Sequence, residues 1–204
     1  MILGYYKPKH FQFAVLYRID SHLNALEFVD LNQRNQENLT DELNSSQNSE
    51  IQSILTEFLD RYFEGSIFSN EQFVDRLQIF ENPDFKNKEF SQKLLKYVAK
   101  IPFGTIESYS NIADNIGTKA IRATGTVLAH NQYPILIPCH RVVPKKFVSF
   151  INMVEDTQDS SKISAKHVGG FMGESNSDSW PILIKTQLLQ FELESVKKNN
   201  KNVL

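Results

Sequence analysis

Residues 101–143 read IPFGTIESYSNIADNIGTKAIRATGTVLAHNQYPILIPCHRVV. Within them, SYSNIADNIG and KAIRATGTVLAHN predict two short helices parted by Gly117-Thr118, a spacing shared by helix-turn-helix units and by plain αα-hairpins. Ile135–Ile137 then reads as an apolar, β-like run closed by Pro138, and the chain's one cysteine, Cys139, follows beside His140 and Arg141. Upstream, KEFSQKLLKYVAK predicts an amphipathic helix with Phe90, Leu94, Leu95 and Val98 inward, ended at Pro102-Phe103-Gly104.

Further out, FQFAVLYRID and ALEFVDL are β-rich runs separated by the polar SHLN, the pattern of an antiparallel hairpin. NQRNQENLTDELNSSQNSE is polar and predicts a loop. IQSILTEFLDRYFEG places Ile51, Ile54, Leu55, Phe58, Leu59 and Tyr62 at helical spacing, with Gly65 as the stop. ENPDF marks a turn, and the boundary between two domains is expected near residue 84. The expected fold is α+β: a small N-terminal α/β domain over 1–84 and a mainly helical domain over 85–204. Beyond Cys139, KKFVSFINMVEDTQDSSKISAKH has no clear period, GESNSDS reads as a polar loop, and a last helix is expected from about Ile184. The terminal NNKNVL is expected to fray.

With 204 residues, 41% of them hydrophobic, the chain can bury an ordinary core. No run reaches the roughly 18 apolar residues of a spanning helix, and MILGYYKPKHFQF lacks the layout of a secretory leader, so an intracellular protein away from membranes is expected. One cysteine cannot form an internal disulfide or a multi-cysteine zinc cluster, so no metal or cofactor is expected. Charge is segregated along the chain: Glu27 to Asp84 holds 13 acidic and 3 basic residues, whereas Lys93 to Lys146 holds 8 basic and 2 acidic. Such a split suits a basic segment that meets phosphate, and it also suits a solvated acidic helix face.

A thiol needs help to ionise near neutral pH. A lone cysteine is ordinarily a buried small hydrophobe, but here His140 and Arg141 adjoin it and Glu192 on the last helix could orient a histidine. Adjacent side chains of an extended segment point apart, so His140 would reach the sulfur through a water or a bend.

Pro138-Cys139-His140-Arg141-Val142 resembles the active-site signature of the methylated-DNA–protein-cysteine methyltransferases, the O6-alkylguanine-DNA alkyltransferases. The likeness runs through residues 84–143, taking in the IPFGTIESY turn, the KAIRATG helix and Asn131, and resumes weakly at VGGFMG and IKTQLLQFE. It implies that Cys139 accepts the alkyl group irreversibly, once per chain, with His140 as its base through a water and Glu192 fixing the imidazole tautomer. Tyr109 matches the tyrosine that protonates the leaving guanine and pushes on the target phosphate. Arg122 matches the arginine that fills the space of a flipped nucleotide. Lys119, Ala120, Ala123, Thr124 and Gly125 would share its helix against the minor groove of double-stranded DNA carrying O6-alkylguanine. Asn131, Pro138, Val142, Phe171 and Met172 would form the pocket, and Arg141 would pair with a carboxylate across the domain junction. A monomer is implied.

Departures from the family pattern are Phe171 for a tyrosine, Met172 for a small residue, Thr126 for a second glycine and Gln132 for a proline. Insertions are read at 145–166 and near 174–183. Three other classes fit less well. A recognition protein without chemistry would not need Cys139, a methylation-sensing regulator needs a zinc domain this chain cannot build, and a thiol protease needs an oxyanion loop not evident here.

Overall fold

A computed structural model describes residues 2–32, 50–154 and 163–201. Three antiparallel strands open it: β1 (Ile2–Tyr6), β2 (Phe13–Ile19) and β3 (Leu23–Asp30), in the order β1-β2-β3. The hairpin read from sequence is β2–β3, with Tyr17 opposite Leu26. The strand on its other edge, β1, escaped the reading because ILGYY carries a glycine and no alternation of polar and apolar residues. Phe13, Val15, Tyr17 and Ile19 alternate onto one buried face of β2.

Helix α1 (Glu50–Phe63) lays Ile54, Leu55, Phe58, Leu59 and Tyr62 into that core. It stops at Gly65, whose φ of 77° favours glycine and where a Cβ would meet Ser195 Oγ at 2.6 Å. A short α2 (Glu71–Arg76) and two 3-10 turns lead to α3 (Glu89–Ala99). Leu94, Leu95 and Val98 of α3 are buried as expected, but Phe90 is 38% exposed. It lies in the first turn, one turn short of the core contact made by Leu94 and Leu95.

The next two helices are α4 (Tyr109–Asn115) and α5 (Ile121–Ala129), packed on each other and joined by residues 116–120. Ser108 caps α4, its hydroxyl accepting from Asn111 N. Strand β4 (Glu107–Ser108) pairs in parallel with β5 (Val142–Val143), tying the start of α4 to the segment after Cys139.

Four expectations fail downstream. The β-like run at Ile135–Ile137 is a turn, with Ile135 at φ 69°. The segment after Val143, read as aperiodic, forms α6 (Lys145–Val154), seated by Phe147. Phe147, Val148, Phe150 and Ile151 stand at the i, i+3, i+4 spacing of a helix, which the reading overlooked. The last helix, α7 (Trp180–Lys201), starts at Trp180 rather than Ile184, because Pro181 falls in a first turn that needs no N–H from it. Part of the insertion read near 174–183 is therefore helix, and α7 continues through Asn199 and Asn200, where fraying was expected. The Asn/Gln-rich segment, most of the 155–166 stretch and residues 202–204 lie outside the described residues.

Buried apolar side chains from the sheet, from α1 and from the helices after residue 84 form one continuous core. Among the described residues, no helix is long and apolar enough to cross a membrane.

Candidate active site

Cys139 begins a 3-10 turn, Cys139–Arg141, directly before β5. At three residues per turn, successive side chains leave this turn about 120° apart rather than on opposite faces. His140 and Arg141 therefore both reach α7, while Cys139 borders a separate cleft. The extended geometry expected from sequence is replaced by this turn.

Behind Cys139, three side chains and one backbone amide converge on Glu192, which is 1% exposed. Its Oε1 accepts from His140 Nε2 at 2.7 Å, from the Tyr62 hydroxyl at 2.7 Å and from Arg141 Nη2 at 2.9 Å. Oε2 accepts from Arg141 Nε at 2.9 Å and from Gly104 N at 2.9 Å. Arg141, wholly buried, spends Nη1 on the Ile101 carbonyl at 2.6 Å. It pairs with Glu192, which also lies after residue 84, and not with a carboxylate across the expected junction there. Gly104 is required where it stands: its φ is 74°, and a Cβ would meet Val196 Cγ2 at 2.3 Å.

Burial works against the Glu192 charge, but Arg141 and His140 overcome it and hold the carboxyl well below the usual carboxylate range. Burial also lowers the His140 imidazole, with Glu192 pulling the other way, so the ring sits neutral. A neutral ring that donates from Nε2 to an ionised carboxylate must present a lone pair at Nδ1. That atom is buried and has no hydrogen-bond partner among the described residues.

The sulfur is held from the other side. Asn131 Nδ2 donates to Cys139 Sγ at 3.1 Å and to the Ile137 carbonyl at 2.8 Å, while Asn131 Oδ1 accepts from Tyr133 N at 3.1 Å. Burial pushes the Cys139 thiol up, and the Asn131 hydrogen bond and the Lys185 ammonium oppose it. Cys139 is 5% exposed and borders a cleft of about 270 Å³ shared with Tyr109, Gly125, Leu128, Phe171 and Glu174. The Tyr109 hydroxyl donates to the Gly170 carbonyl at 3.3 Å, and burial followed by the nearby sulfur pushes its pKa up to about 12.

Of the expected DNA-contacting residues, Lys119, Ala120, Arg122 and Ala123 are exposed, and so is Ile121 at 46%. A Cβ on Gly125 would meet nothing, since its open side faces the Cys139 cleft. Thr124 is a correction: it is fully buried and its hydroxyl bonds back to the Ala120 carbonyl, leaving nothing for a partner. Among the pocket residues, Phe171 lines the cleft and Asn131 touches the sulfur. Pro138 and Val142 are buried, and neither lines the cleft. The Val142 carbonyl is taken up by Lys185 Nζ at 2.7 Å. Met172 is also corrected: at φ 51° it turns away and lines a different, wider cleft of about 620 Å³ beside the β2–β3 hairpin.

Sequence reasoning missed three polar residues. Tyr62 was read only as part of an apolar helix face, although a buried tyrosine must place its hydroxyl. Lys185 stands seven positions, two helical turns, before Glu192 and so shares its face of α7. Asn70 donates from Nδ2 to the Ile135 and Leu136 carbonyls at 2.7 and 3.0 Å, holding the left-handed turn in place. No pattern in the sequence announced it.

Residues 89–152 match the family model described as 6-O-methylguanine DNA methyltransferase, DNA binding domain. A methylated-DNA–protein-cysteine methyltransferase of Archaeoglobus fulgidus is 36% identical over 88 residues, 43% of this chain and 53% of that one. The protein of that name from Saccharolobus solfataricus is 38% identical over 99 residues, 47% of this chain and 59% of its own. The chain thus spans little more than half the length of the curated relatives it matches. In three dimensions, an O6-methylguanine methyltransferase of Mycobacterium tuberculosis aligns over 95% of this chain and 94% of its own, with a TM-score of 0.56 at 22% identity. The enzyme of Pyrococcus kodakaraensis aligns over 93% and 97%, with a TM-score of 0.58 at 16% identity.

The molecule therefore has the fold of the O6-methylguanine methyltransferases, an α+β fold with its sheet at the N-terminus. Residues 89–152 match the model of that family's DNA-binding domain, bearing out the resemblance read from PCHRV.

Proposed function

We propose that this protein repairs DNA by moving an alkyl group from O6 of guanine onto Cys139, irreversibly and once per chain. The observation that carries the reading is the pairing of two oriented groups: a sulfur fixed by Asn131 at a cleft below α5, and a neutral His140 whose Nδ1 lone pair has no partner among the described residues. A water between Nδ1 and Sγ would pass the thiol proton to the imidazole, and Glu192 would stabilise the imidazolium that results. The thiolate attacks the alkyl carbon, a C–S bond forms as the C–O6 bond breaks, and the electron pair leaves on guanine. Tyr109 supplies a proton to that anion once its hydroxyl swings from the Gly170 carbonyl.

The α4–α5 pair acts as a helix-turn-helix that enters the minor groove of double-stranded DNA, as a monomer working inside the cell. A Mycobacterium tuberculosis protein of this fold has been crystallised in complex with DNA. The residues before about 84 form a supporting domain, and those after it carry DNA contacts and chemistry. Incubation with an oligonucleotide containing labelled O6-methylguanine should leave about one label per chain, on the tryptic peptide containing Cys139, with no turnover. A thioether offers no easy leaving path. Repeated turnover, or label elsewhere, would sink the reading.

Arg122 is assigned the space of the flipped nucleotide. Extrusion of a base costs a few kcal/mol of stacking, and a planar guanidinium can stack where a base stood. Arg122→Ala should accordingly slow repair of duplex substrate at least tenfold more than reaction with free O6-benzylguanine, and Arg122→Lys should rescue only in part. Equal slowing of both substrates, with an unchanged thermal melt, would move Arg122 into the support of the cleft.

A further inference from the structure

Lys185 is fully buried on α7, and among the described residues it faces no carboxylate within ion-pair distance. Its Nζ donates to the Val142 carbonyl at 2.7 Å and to the Gly170 carbonyl at 3.0 Å, and lies 5.9 Å from the centre of the Tyr109 ring. Two carbonyl dipoles and a ring face do not neutralise an ammonium in a dry site, where an unpaired charge is costly. The Tyr109 ring lies against it, and the titratable groups near enough to couple to its charge are Cys139 and His140; Glu192 is already engaged by Arg141, His140, Tyr62 and Gly104. Glu174 lines the same cleft but is exposed to solvent.

We infer that Lys185 is the electrostatic partner of the Cys139 thiolate, a positioning residue whose ammonium, held against Gly170 and Tyr109 in the wall of the Cys139 cleft, favours ionisation of the sulfur. The inference rests on Cys139 being the nucleophile. The two acids are linked: burial draws Lys185 down to about 7, the charge of Cys139 draws it back up, and the ammonium lowers the thiol in return. The same ammonium helps keep His140 neutral and able to accept a proton. Its two hydrogen bonds also fasten β5 to the 169–174 loop, since the Gly170 carbonyl it holds is the one Tyr109 rests on. When Tyr109 turns toward a leaving base, that carbonyl keeps its second donor and the cleft wall keeps its place.

The single cysteine of the chain makes the test clean. The rate of carbamidomethylation by iodoacetamide is followed against pH for wild type, Lys185→Met and Lys185→Gln; sulfur gains the carbamidomethyl group and iodide leaves. Both variants should move the midpoint upward by at least one pH unit and slow the reaction at least tenfold at pH 7, converging with wild type in alkali. A midpoint within 0.3 unit of wild type in a variant with an unchanged melt would overturn the inference.

A second measurement needs no variant. The Lys185 side chain, followed by NMR of 13Cε-labelled wild-type protein, should titrate at lower pH once Cys139 is capped as a thioether, because the neutral sulfur no longer offsets the ammonium. An unchanged midpoint would also overturn it. Neither assay involves DNA, so failure of alkyl transfer and failure of this inference are separately visible.

Discussion

Cys139→Ala is expected to abolish transfer of label from O6-methylguanine while leaving affinity for duplex DNA within about twofold of wild type. The side chain is buried, at 5% exposure, but Cys→Ala removes a single sulfur atom and so costs only about 1 kcal/mol of packing. Asn131 keeps its hydrogen bond to the Ile137 carbonyl when the sulfur is gone, which preserves the turn that carries residue 139. The exposed face of α5, with Ile121, Arg122 and Ala123, is a separate surface and is untouched. Labelling and fluorescence anisotropy on one preparation decide the matter. Residual transfer would remove Cys139 from its role, and loss of DNA binding in a folded variant would deny the division of labour between cleft and helix.

The second large effect concerns stability. Glu192→Ala should lower unfolding free energy by about 3–5 kcal/mol, because Arg141 is then left charged, fully buried and without its anion. For a chain of this size that corresponds to a melting temperature lower by on the order of 10 °C. The His140 tautomer loses its anchor at the same time, so alkyl transfer should fall far more than the loss of folded protein explains. The pH dependence has a definite sign. Glu192 is held below its unfolded pKa, so its contribution is present in full above the ordinary carboxylate range and is lost as the pH falls through the folded value. The stability gap between wild type and Glu192→Ala should stay level from about pH 6 upward and narrow in acid. A gap that widened on acidification would mean that Glu192 is not held ionised by Arg141 and His140.

The residues nearest the chemistry were legible because they lie close together in sequence or on a recognisable helix. PCHRV fixed attention on the sulfur, and the apolar spacing of α1 and α3 located those helices. What escaped was set by tertiary contact. Ile135 adopts a left-handed conformation that its β-branched side chain disfavours, and it does so under two hydrogen bonds from Asn70, 65 positions away. The strand β1 exists because β2 offers it an edge, and Lys185 could be told from a solvated helix lysine only by the burial of its face. Thr124 and Met172 show the converse limit. A family resemblance aligned them with functional positions, but Thr124 falls on the buried face of α5 and Met172 is turned away at φ 51°.

Three side chains from before residue 84 end on the segment that carries the sulfur or on the carboxylate behind it: Tyr62 on Glu192, Asn70 on the Ile135 and Leu136 carbonyls, and Asn82 on the Tyr133 hydroxyl at 3.2 Å. Leu26 N adds a backbone bond to the Gln132 carbonyl at 2.8 Å. Whatever roles the two parts hold, they are coupled in their cooperativity: the amides of β3 and those around residues 133–141 should exchange with solvent through the same global opening. A ligand that tightens the cleft would then raise protection in a sheet it never touches, and loosening of that sheet would lower the population of molecules ready to react.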